Sequence, residues 1–197
     1  VTMLLGNGVD LHSYQPTADE IMKISTCDIF IYVGGESDGW VKDALKEASN
    51  KDMIVINLLD VLGDSVKAEE VVEGMESEDD HDLEESVPGK DQHEGEKIEY
   101  DEHVWLSLRN ASVLTEKISE AIQAADSSNA KVYQANTESF LEKLDTLDTE
   151  YHTAAAESPV KTLLFGDRFP FRYMVDEYGL DYYAAFAGCS AETEASF

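Results

Sequence analysis

Cysteine is nearly absent from this chain: Cys27 and Cys189 are the only two among 197 residues, and no Cys-x-x-Cys pair occurs. That excludes a thiolate zinc cluster and a disulfide-stapled scaffold; spacing does not tell whether the two pair, and two separate, mostly buried thiols are expected. Basic residues are scarce as well, with 14 Lys and Arg against 42 Asp and Glu and a net charge of −28. A chain this acidic is repelled by phosphate backbones and by anionic membrane surfaces and concentrates cations around itself, so nucleic acid is not an expected partner. No apolar run approaches the ~20 residues of a membrane span, and no signal peptide is visible. No nucleophile-base pair, oxyanion loop or phosphate cradle stands out, and Ser107 lacks a Gly-x-Ser-x-Gly context, so no enzyme is expected. What is present is enough apolar residue, 43%, to fill one sizeable domain or two small lobes.

Val1–Leu5 is a short apolar run before Gly6-Asn7-Gly8 and reads as a strand entering a turn. His12 then falls in a Gly/Pro-bounded loop, and Thr17 to Glu20 forms a capping box that opens a helix carrying Ile21, Met22 and Ile24. Asp28–Val33 reads as a second strand, buried on both faces, ended by Gly34-Gly35. Trp40, Val41, Ala44, Leu45 and Ala48 recur at helical spacing, and Met53–Leu59 reads as a third strand. Strands alternating with helices imply a parallel sheet with crossover connections.

Residues 69–102 differ from their surroundings, holding 16 acidic residues against Lys90 and Lys97, half the net charge of the chain. Such a tract cannot bury enough apolar surface to offset its ordering entropy and is expected to be a solvated loop. His81 and His93 within it offer a weak, exchangeable trap for divalent cations; the spacing does not match an EF-hand. Beyond it, Ala111, Leu114, Ile118, Ile122 and Ala125 fall on one helical face. A second helix from Asn129 carries Val132, Asn136, Phe140, Leu144, Leu147 and Tyr151, and Ser158-Pro159 stops it. Val160–Phe165 and Tyr182–Ala187 read as strands around a helix at Phe169–Tyr178.

Two stretches bear chemistry. One reads Gly8, Asp10, His12, Tyr14, Pro16, and the other Asp101, His103, Trp105, Leu106, Ser107. A neutral imidazole is a common ligand of divalent transition metals, and a neighbouring carboxylate, Asp101 or Glu102, can fix its tautomer. These spacings resemble the G-x-D-x-H-x-Y-x-P and D-x-H-x-W-L-S segments of the metal-receptor subunits of bacterial ABC importers for zinc and manganese. Cys27–Val41, Phe171, Tyr173 and Tyr178-Gly179-Leu180 extend the resemblance over almost the whole chain.

The resemblance implies an α/β fold of two lobes with parallel sheets joined by a long backbone helix, the second lobe incomplete. Residues 1–128 correspond to the first lobe with its acidic loop, 129–157 to the backbone helix and 158–197 to the start of the second lobe. It implies an extracytoplasmic receptor, with a lipoprotein anchor absent from this chain, that captures a divalent ion and delivers it to an ABC permease and its ATPase. The implied ligands are His12 and His103. The family's third ligand, a His or Glu, falls on Arg168, and a guanidinium cannot coordinate a cation. Asp167 is the available oxygen donor, or else a cap for the next helix, and Arg168 an ion-pair partner for a site carboxylate or for Glu192 or Glu194. The fourth family ligand, an Asp, has no counterpart in this sequence. Two imidazoles with carboxylate suit zinc, with manganese as the alternative. Competing readings are a zinc metallohydrolase with Glu102 as base and an acidic metal-buffering or adhesion protein. Exposed sheet edges in a fragment trimmed at both ends further predict dimerisation.

Overall fold

A computed structural model describes residues 1–6, 12, 14–70, 72, 75 and 99–188. The order is α1 (Ala18–Thr26), β1 (Ile29–Tyr32), α2 (Val41–Lys46), β2 (Ile54–Asn57), α3 (Leu58–Leu62), α4 (Leu108–Ala125), α5 (Ala130–Glu157), β3 (Thr162–Phe169), α6 (Arg172–Glu177) and β4 (Asp181–Ala187). Two parallel pairs make the described sheets, β1 with β2 and β3 with β4.

Local chemistry sets several of these boundaries. Thr17 and Glu20 form the reciprocal capping box that starts α1, the Thr17 amide donating to Glu20 Oε2 at 2.7 Å. Ile24 is buried with Phe30 and Val41, and Ile21, Trp40 and Leu45 pack around them. Met22 projects to solvent. Asn57 ends β2 because its side chain accepts from the Asp60 amide and so caps α3. The run Met53–Leu59 is therefore split, and Leu59 is buried on a helix instead of a strand.

Val1–Gly6 is not a strand: among the described residues no segment pairs with it, and Leu4 rests against the Ile24 cluster. A strand is stabilised by a partner, which hydropathy alone does not reveal. Nor is β1 covered on both faces, since Ile31 and Val55 of the adjoining strand stay exposed.

The acidic tract is pinned at its base by an antiparallel bridge between Ala68 and Tyr100, with Glu69 N donating to Glu99 O at 2.9 Å. His81 and His93 lie outside the described residues. Ser107 then caps α4, accepting from Asn110 N at 3.1 Å. The buried face of α4 is Asn110, Leu114, Ser119 and Ala121, while Ala125 is exposed and Ile118 and Ile122 are half-buried. This is a rotation from the apolar stripe. Asn110 is drawn in because its amide donates to Val104 O, and Ser119 because its hydroxyl accepts from Thr137 on α5. Leu114 joins Leu59, Leu62, Val104 and Tyr173 in the central cluster, worth about 1.5–3 kcal/mol for such a side chain.

Asp126 ends α4 and gathers Asn129, Ser128 and Tyr133 as donors, which hold its carboxyl down at about 2. The 28-residue α5 follows and has no buried residue; Tyr133, Thr137, Leu141, Leu144 and Asp148 form its half-covered stripe. Val132, Phe140, Leu147 and Tyr151, expected on the packed face, are exposed. After it, β3 runs on to Phe169, which precedes Pro170 and is held extended, so α6 begins at Arg172 instead of Phe169. Phe169 stacks on Tyr182 of β4.

Candidate metal centre

The loop after β1 builds one half of the site. Gly34 and Gly35 both have positive φ, +96° and +83°, which a side chain would strain. Asp38 turns back and accepts from Gly34 N at 2.8 Å. Burial, opposed by that hydrogen bond and reinforced by the Glu102 charge, pushes the Asp38 carboxyl upward. Ser37, between these residues, faces His12: Ser37 Oγ and His12 Nδ1 are 2.9 Å apart. The loop lies at the carboxyl end of a parallel strand, where ligands of open α/β sheets gather.

The turn before α4 builds the other half. Asp101 Oδ1 accepts from His103 N at 2.8 Å and lies 3.0 Å from His103 Nδ1. His103 is thereby set on the entry of the short 3₁₀ turn Val104–Leu106, anchored by fully buried Val104. Asp101 is itself clamped. Its amide donates to Lys67 O at 3.0 Å, and its carbonyl accepts from the Tyr173 hydroxyl at 2.8 Å. That hydroxyl also accepts from Lys67 N at 3.0 Å, closing a ring of three hydrogen bonds between the base of the acidic tract and α6.

Although 91 positions apart, the two imidazoles meet with ring centres 5.5 Å apart and planes 54° from each other. Two imidazoles bound through nitrogen to one tetrahedral zinc, with Zn–N of about 2.0–2.1 Å, have ring centres roughly 5 Å apart. With Nδ1 of each ring beside a hydroxyl or carboxylate, a cation shared by the pair would take Nε2, the division of labour usual for metal-bound histidine. Two carboxyl groups, each only 2% exposed, stand beside the pair: Asp101 3.0 Å from His103 Nδ1 and Glu102 3.9 Å from His12 Nδ1. Such a setting favours a cation.

Asp167 lies on β3. Between Phe165 and Arg168 the β3–β4 register shifts by one residue, and Asp167 lies in this bulge, exposed, accepting from the Arg168 amide at 2.8 Å. It does not cap α6, whose preceding residue is Phe171. Among the described residues no three His, Cys, Asp or Glu side chains converge as a donor group. Glu192, Glu194 and Cys189 lie outside those residues. Cys27 is half-buried, its thiol donating to Ile24 O.

Sequence reasoning did not single out Ser37 or Asp38, and it offered Glu102 only to His103 or to a water. The Glu102 Oε1 atom instead accepts from Ser37 N at 2.9 Å, and Oε2 lies 3.9 Å from His12 Nδ1. The Gly-Gly-Glu-Ser-Asp run directly after a strand was the available signal.

Comparison with known proteins agrees with this architecture. The zinc-binding lipoprotein AdcA of Streptococcus pneumoniae is 30% identical over 196 residues, all of this chain and 36% of the relative. The high-affinity zinc uptake system protein ZnuA of Bacillus subtilis is also 30% identical over 196 residues, covering 56% of the relative. The crystal structure of the Zn(II)-bound ZnuA-like domain of Streptococcus pneumoniae AdcA superposes with a TM-score of 0.66 at 26% identity, over 93% of this chain and 57% of that one. The chain thus spans between about a third and just over half the length of these relatives. A family model, zinc-uptake complex component A, periplasmic, matches residues 1–197, and the chain belongs to that family.

Proposed function

We propose that this protein is an extracytoplasmic receptor that captures Zn²⁺ and delivers it to an ABC permease driven by its ATPase, performing no chemistry on the ion. The observation that carries this reading is the His12–His103 pair, with ring centres 5.5 Å apart, near the roughly 5 Å of two imidazoles on one tetrahedral ion, and each Nδ1 beside an oxygen partner. Nitrogen donors favour zinc over the oxygen-preferring manganese. Asp167 accepts from the Arg168 amide through Oδ1, which does not exhaust the acceptor capacity of its carboxylate, and the assignment rests on the two imidazoles. Membership of the zinc-uptake family and the zinc named for both relatives support the choice of ion, the location and the importer partners.

Calorimetric titration of the full-length protein with zinc tests the reading. His12→Ala and His103→Ala should each weaken binding at least about 100-fold, as expected when a ligand of a small site is lost. Unchanged affinity in the double variant would overturn it. Self-association through the two-stranded sheets, where Leu164 of β3 and Tyr183 of β4 are exposed, is a separate expectation checked by light scattering.

A further inference from the structure

Glu102 is almost fully buried, yet it pairs with no lysine or arginine among the described residues, and its Oε2 has no hydrogen-bond partner there. Burying a carboxylate this way is costly unless the site uses it. Its other oxygen accepts from the Ser37 amide, 65 positions away in sequence, and Ser37 Oγ meets His12 Nδ1. The chain makes room for this arrangement. A Cβ at Gly35 would lie 2.3 Å from Glu102 Oε1, so only glycine lets the carboxylate reach the loop backbone. Adjacent residues thus serve opposite halves of the site: Asp101 orients His103, and Glu102 turns toward the loop that holds His12.

We propose that Glu102 is a positioning residue for His12: its carboxylate fixes the Ser37 backbone, and Ser37 Oγ fixes the ring at Nδ1, so that His12 presents Nε2 to the cation. Oε2, 3.9 Å from Nδ1, places a carboxylate oxygen behind the imidazole. The role rests on the receptor reading above and adds to it a Gly35–Ser37–Glu102 relay that joins the β1–α2 loop to the turn before α4.

The test uses the full-length protein, zinc alone as probe, and a chromogenic chelator as competitor. Ser37→Ala and Glu102→Gln should each weaken zinc binding about 10–100-fold, the range for losing a residue that orients a ligand. The double variant should fall little further, because both act on one imidazole. Wild-type affinity in both single variants would overturn the proposal. So would a Glu102→Gln loss as large as that of His12→Ala, which would make Glu102 a direct ligand.

A second readout responds to ring orientation and not to stability. Nitrogen-resolved NMR of the metal-free protein should show His12 as the Nδ1–H tautomer, shifting toward the other tautomer in Ser37→Ala. An Nε2–H tautomer in the unsubstituted protein would refute the relay. Should His12→Ala and His103→Ala leave zinc binding intact, the receptor reading itself fails, while the tautomer still decides whether the relay exists.

Discussion

Replacing Tyr173 by Phe removes one oxygen atom and tests how the two halves of the molecule are joined. The hydroxyl is buried, donates to Asp101 O at 2.8 Å and accepts from Lys67 N at 3.0 Å. Phenylalanine fills the same ring space, so the apolar contacts with Leu59, Leu62, Val104 and Leu114 persist. What is lost is the partner of one buried carbonyl and one partly buried amide, each costing about 1–3 kcal/mol when left unsatisfied. The sum, about 2–6 kcal/mol, is a large share of the ~5–15 kcal/mol that holds a typical domain. Urea unfolding of the metal-free protein followed by near-ultraviolet circular dichroism should show the midpoint falling with the slope unchanged. Because Asp101 sets the His103 ring, zinc affinity should drop several-fold as well. A stability change below about 0.5 kcal/mol, the scatter of ordinary surface substitutions, would refute the reasoning.

Two other perturbations address charge. Asp38→Asn keeps an acceptor for Gly34 N and removes a buried carboxyl whose pKa is raised by burial and by Glu102. Ionising that group costs the native state, so the wild type should lose stability relative to the variant as pH rises through the ordinary carboxylate range to the raised value, and match it most closely below. Parallel stability curves from pH 3 to 8 would contradict this. Deleting residues 76–98, and with them His81 and His93, should abolish weak zinc uptake while one tight equivalent survives in calorimetry. Loss of the tight equivalent would place the site in the acidic tract.

The features legible in the sequence were those with local causes. The Thr17–Glu20 box and the long helix from Asn129 stopped at Ser158-Pro159 each follow from neighbours within a turn or two. The paired histidine motifs were also legible, because their spacing matched a known family. What sequence could not show was decided across long separations. Val1–Leu5 has strand composition but no pairing partner among the described residues, and the α4 face turned inward because Asn110 and Ser119 found hydrogen bonds that outweigh their polarity. Phe140 and Leu147 looked like core by period and lie open, since periodicity identifies a face without identifying what covers it. At the site, Ser37 meets a histidine 25 positions earlier and a carboxylate 65 positions later, contacts no spacing rule anticipates.

The central claim is that His12 and His103 hold the same ion. Zinc-edge X-ray absorption of the full-length protein carrying one equivalent of metal measures this directly. Two imidazole shells with Zn–N of about 2.0–2.1 Å are predicted, reduced to one in either His12→Ala or His103→Ala. A spectrum with no imidazole shell, or one that both substitutions leave unchanged, would contradict it.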